Sequence, residues 1–98
     1  MAVVAGNPIT RPPPRLKRGD EMVFVPRPRA LKNTAVQVLR RGEPLLWPTP
    51  NGLFQGYGLG RPYERSACEE HARAKAAEYE LRTGAFWEEE GSLHVRLL

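Results

Sequence analysis

The chain has 98 residues, 15 of them basic and 11 acidic, for a net charge of +4, and it holds one cysteine. That length supports a single domain with a modest core, and Cys68 alone excludes an internal disulfide framework. No apolar run reaches the length of a membrane span, so the composition points to a reducing, cytoplasmic setting.

Charge is unevenly placed. Residues 1–41 carry nine bases against two acids, a front of +7, and six of the ten prolines; the remainder carries six bases against nine acids, or −3. A cationic front joined to a mildly acidic body suits a charged partner better than a buried active site. Twelve arginines against three lysines, with abundant Ala, Pro and Gly, resembles the usage of a GC-rich bacterium or its phage.

Residues 1–20 read as an extended basic arm, because the prolines fix φ and remove backbone donors. Residues 21–98 read as one small α+β domain. Met22 to Val25 is a short β run ended by Pro26, and an extended basic loop follows at Arg27 and Arg29. Ala35 to Arg40 alternates, with Val36 and Val38 on one face and Gln37 and Leu39 on the other. Arg41-Gly42 marks a turn, and Asn51-Gly52 is a hairpin signal of type I′. Residues 35–58 therefore read as a three-stranded antiparallel meander, its middle strand shortened by Pro44, Pro48 and Pro50. Residues 66–82 read as a helix, with Ser66 and Glu69 as a capping box and Gly84 as the terminal left-handed position. Cys68, Ala72, Ala76 and Tyr79 form its apolar stripe, and Glu69–Arg73 and Glu78–Arg82 are spaced to pair on its wet face. An acidic turn at Glu88–Glu90 joins two closing strands in a C-terminal hairpin, with His94 and Arg96 sharing a solvent-facing side of the last strand.

Chemistry is sparse. Cys68, His71 and His94 fall short of the four ligands a structural zinc site takes, and no nucleophile–base pattern or phosphate-cradling glycine loop appears. No catalysis, cofactor or metal is expected. The basic front remains. Guanidinium groups pair bidentately with phosphates and release counterions, so Arg11, Arg15, Lys17, Arg18, Arg27 and Arg29 are expected to contact a nucleic-acid backbone, with Arg40, Arg41 and Trp47 at the sheet edge. The expectation is a small non-enzymatic nucleic-acid-binding or regulatory protein. Its alternative is a protein-interaction module, such as a phage-encoded inhibitor or an assembly subunit, whose arm lies on an acidic protein surface or on a second copy in a homo-oligomer.

A three-stranded meander followed by one helix over residues 35–82 is similar to the small DNA-binding domains of AP2 type and of integrase amino-terminal arms. That resemblance implies a sheet that enters the major groove, with Arg40, Arg41, Trp47, Gln55 and Tyr57 as readers.

Overall fold

The computed structural model describes residues 14–27, 33–49 and 52–98, and within them two alternating segments build the centre of one antiparallel sheet. They are β1 (Glu21–Pro26) and β2 (Thr34–Arg40), paired with Phe24 opposite Val36 and Met22 opposite Val38. The closing hairpin supplies β7 (Thr83–Glu89) and β8 (Ser92–Leu97). Strand β8 pairs with β1, which brings Leu93 opposite Phe24 and Val95 opposite Met22. With the two-residue β3 (Glu43–Pro44) at the far edge, β1 is central in the order β3-β2-β1-β8-β7.

The segment read as a meander is divided. Strand β2 turns into β3 through Arg41 and Gly42, both at positive φ. The chain then leaves the main sheet as a hairpin of its own, β4 (Trp47–Thr49) and β5 (Gly52–Phe54). It returns in β6 (Tyr57–Gly58), which pairs with Ala35 and Val36 of β2. Proline explains the division: Pro44 and Pro48 lack the N–H that a continuous inner strand would donate. The hairpin register sets Thr49 opposite Gly52, so Gly52 belongs to the strand, and the two residues between them lie outside the described ones.

Gly56 is where the returning chain crosses β2. A Cβ there would run into the Val36 carbonyl oxygen and press on Gln37 Cγ. Gly56→Ala is expected to cost about 2 kcal/mol in urea denaturation, because a backbone carbonyl cannot swing aside as a side chain does. An unchanged midpoint would show that the crossing is loose.

Helix α1 (Arg65–Glu78) covers one face of the sheet. Its stripe is small: Cys68, Ala72 and Ala76 are buried against Met22, Phe24, Val36, Val38, Leu93, Val95 and Leu97. Burial pushes the ionisation of the Cys68 thiol up, and the residue is inert packing. The helix begins one residue before the expected capping box. Glu64 is the N-cap without a side-chain bond, and Glu69 is held by Arg65 at 2.8 Å and Arg73 at 3.3 Å, so it does not reach back. It ends through Glu80 at φ 60°, with the Leu81 N–H returning to the Ala76 carbonyl at 2.9 Å. Gly84 instead sits in β7, where the register shifts between Thr83 and Phe86 in a bulge and a Cβ would press on the Arg96 carbonyl oxygen. Glu78 pairs with Lys75 rather than Arg82, because Arg82 already lies beyond the helix end.

Leu16 is also core, at 4 % exposure. Residues 14–20 therefore belong to the packed body, fastened by Gly19 N–H to Leu97 O and Leu97 N–H to Asp20 O, both 2.8 Å.

Candidate nucleic-acid interface

Antiparallel pairing decides which charges meet. Strand β1 starts, β2 ends, β8 ends and β7 starts at the same edge of the sheet, since Glu21 lies opposite both Leu39 and Arg96, and Thr83 lies opposite Leu97. Residues far apart in sequence are gathered there: Arg15, Lys17 and Arg18 before β1, Arg41 after β2, and Arg82 before β7. All five are exposed, and among the described residues none has an ion pair. The Arg15 guanidinium rests 5.3 Å over the Tyr79 ring at the end of α1, where a cation is favoured by the helix carbonyls. Arg18 and Arg82 line a depression together with Glu80, Thr83 and Leu98.

Other cations of the body are spent. Arg61 pairs with Glu64, Arg65 with Glu69 and Glu88, Arg73 with Glu69, Lys75 with Glu78, and Arg96 with Glu21. The acidic turn Glu88–Glu90 lies at the opposite end, closing the β7–β8 hairpin with Glu90 and Gly91 at positive φ. Charge is therefore separated along the strands.

Arg40 makes an intramolecular contact that the sequence does not reveal. Its Nε donates to Asp20 Oδ1 at 2.9 Å, and its Nη2 donates to Asp20 Oδ2 at 2.9 Å and to the Arg15 carbonyl at 2.7 Å. Those bonds, above all the hydrogen bond to Asp20, hold the guanidinium more firmly protonated than usual. Asp20 is buried and also accepts the Lys17 N–H at 2.8 Å. This fork holds the segment that carries Arg15, Lys17 and Arg18, and it commits Nε and Nη2 of Arg40 to acceptors within the chain.

Trp47 is buried as well, at 8 % exposure, edge-on to Tyr57 at 5.0 Å, and its Nε1 has no partner among the described residues. Tyr57 in turn shares a 2.7 Å hydrogen bond with His71 Nε2, and its hydroxyl ionisation is pushed up by burial. The pair resembling groove readers is thus part of the clamp between the β4–β5 hairpin and the helix. Arg27 is exposed at the far end of β1, away from the cationic cluster, and Arg11 and Arg29 lie outside the described residues.

The two histidines sit on opposite faces of the sheet. His71 lies on the helix side, whereas His94 is on the uncovered side, bonded through Nδ1 to Glu21 at 2.7 Å and stacked under Trp87 at 5.2 Å. His94 is only 13 % exposed, so the side of β8 read as solvent-facing is roofed by an aromatic ring. Among the described residues no group of three or more His, Cys, Asp or Glu is placed to hold a metal ion, and no helix is long and apolar enough to cross a membrane.

Arg82 is the member of the cluster that sequence reading missed. It belongs to the acidic body by position, and only the bonds of Arg82 N–H to Leu98 O at 3.0 Å and Leu98 N–H to Arg82 O at 2.7 Å bring it beside Arg18. No protein-family model matches this chain, and neither the curated proteins nor the solved structures contain a match to it.

Proposed function

We propose that the protein is a non-enzymatic nucleic-acid-binding protein that grips phosphates with the cationic end of its sheet. The observation that carries this reading is the cluster Arg15, Lys17, Arg18, Arg41 and Arg82: exposed, without ion pairs among the described residues, and held on a frame fixed by the Asp20–Arg40 fork. Clustered cations kept free of intramolecular carboxylates cost self-repulsion, and a polyanion removes that cost while releasing counterions. Arg11 lies outside the described residues and adds one positive charge to the basic front of the sequence.

The test is equilibrium binding to duplex DNA, single-stranded DNA and RNA at about 50 and about 200 mM salt. Binding is expected at the lower salt and weakens steeply at the higher. The triple variant Arg15→Glu, Lys17→Glu, Arg18→Glu should reduce the slope of log affinity against log salt by about 2–3. Absence of binding at low salt, or a triple variant that binds like the parent, overturns the proposal.

A second reading, a protein-interaction module, has its own observation. From Pro44 to Gly60 the chain has no charged residue, and Leu46 and Leu53 stand 48 % and 45 % exposed on and beside the β4–β5 hairpin. If Leu46→Ser with Leu53→Ser leaves the solution mass unchanged and nucleic acid is bound, the first reading stands alone; a mass that halves favours the second.

A further inference from the structure

We infer that the cleft between β2 and the β5–β6 segment is a binding site for a nucleobase bearing a phosphate. The cleft has a volume of about 470 Å³, and its chemistry comes from Arg27, Asn33, Gln37, Phe54, Gln55 and Tyr57. That volume lies within the range of small-ligand sites.

Four features converge on this ligand. First, among the described residues no carboxylate lines the cleft and none hydrogen-bonds or pairs with the Arg27 guanidinium, which suits an anion. Second, the carboxamides of Gln37 and Gln55 have no hydrogen-bond partner among the described residues, although each presents a donor and an acceptor side by side. Third, Asn33 is locked: its Oδ1 accepts the N–H groups of Thr34 at 2.9 Å and Gly60 at 2.8 Å, which fixes the other face of its amide as Nδ2, a donor. Paired donors and acceptors at fixed spacing are what the edge of a nucleobase presents. Fourth, Phe54 is 50 % exposed on the cleft wall, a ring face open for a base to stack on. The opposite wall is rigid, because Tyr57 is held by His71 on one side and Trp47 on the other.

The cleft opens where β1 ends near Arg27, and the cationic cluster lies where β1 begins. The two sites use separate residues, so each reading can fail while the other stands. The ligand has two sources, a free nucleotide or an unpaired base of a single strand, and the experiment separates them.

Amide spectra of the full chain are to be recorded with each of the four common nucleoside monophosphates, the matching nucleosides, ribose 5-phosphate and a short single-stranded oligonucleotide. The side-chain amide signals of Gln37 and Gln55 and the backbone signals of Gly56 and Gly58 should move with at least one nucleoside monophosphate and stay still with ribose 5-phosphate. Phe54→Ala should weaken that binding about tenfold. Arg27→Gln should erase the preference for nucleotide over nucleoside. An oligonucleotide that moves these signals at roughly tenfold lower concentration than its mononucleotide identifies a strand as the source; equal concentrations identify the free nucleotide. The Arg15, Lys17, Arg18 triple variant should keep the mononucleotide response. Signals that stay still with every base-bearing ligand, that move equally with ribose 5-phosphate, or that are indifferent to Phe54→Ala overturn the assignment.

Discussion

Arg40→Ala is expected to lower the unfolding free energy by about 4 kcal/mol, read from urea denaturation, and Asp20→Asn by about 2. The asymmetry follows from burial. Asp20 is 2 % exposed, so removing the guanidinium strands a carboxylate in the protein interior. The Arg40 side chain is 31 % exposed, so removing the charge on Asp20 leaves a guanidinium that water still reaches. The carboxamide introduced by Asp20→Asn also keeps an oxygen for the Lys17 N–H, which limits its damage. The pair fastens three pieces, since Arg40 ends β2, Asp20 precedes β1, and the Arg15 carbonyl accepts a further bond from the guanidinium. A loss under about 1 kcal/mol for Arg40→Ala would place the pair among ordinary surface ion pairs. The same variant separates two roles of arginine. Under conditions where it remains folded, it is expected on the proposed function to bind nucleic acid with nearly the affinity of the parent, because Nε and Nη2 of Arg40 are already engaged by Asp20 and the Arg15 carbonyl.

What could be read from residues alone was what depends on local periodicity. Val36 and Val38 against Gln37 and Leu39, Leu93 and Val95 on the last strand, and the Cys68–Ala72–Ala76 stripe each follow from a period of two or of about four. The sheet and its helix were therefore legible as an α+β fold. Turns were legible where glycine follows a residue able to take positive φ, as at Arg41-Gly42 and Glu90-Gly91. The ends of α1 were not. The capping box at Ser66 lost to the competing pairs Arg65–Glu69 and Glu69–Arg73, and the left-handed position fell on Glu80 because Leu81 closes back on Ala76. The candidate site was legible in composition and illegible in detail. Arg15, Lys17, Arg18 and Arg41 stand exposed in the basic front, but nothing in the order of residues marks Arg40 as the partner of Asp20, twenty positions earlier. Arg82 joins them through strand pairing, and pairing across the whole chain is not encoded in any local pattern. The cleft has the same origin: Asn33, Gln37 and Gln55 are ordinary polar residues until Gly56 crosses β2 and sets them around one hollow.

Phe24→Ala is expected to cost about 4 kcal/mol and to alter how stability depends on pH. Phe24 is fully buried at the centre of the sheet, between Val36 and Leu93, and its ring meets the His71 ring edge-on at 5.9 Å. Deleting it opens a cavity between sheet and helix. His71 titrates below its ordinary value in the folded protein, first because burial penalises the charged imidazole and second because Lys75 repels it, with Glu78 opposing. A lowered folded value means that the unfolded chain takes up a proton first as pH falls. The stability held above the unfolded histidine value near 6.5 is thus lost progressively on going from about pH 7 to about pH 5. Glu69, lowered by Arg65, loses its contribution at more acid pH, from the ordinary carboxylate value downward. The parent is therefore expected to have a lower urea midpoint at the acid end of that window, and His71→Gln should remove most of the difference. In Phe24→Ala, water entering beside the imidazole relieves part of the burial penalty, so the absolute stability drops while its fall across the same window becomes shallower. Equal midpoints for the parent at both ends would show that the Tyr57–His71 contact accommodates the proton. A steeper fall in Phe24→Ala would show that the aromatic ring, rather than the surrounding helix, had been sheltering the imidazole from its neighbours' charges.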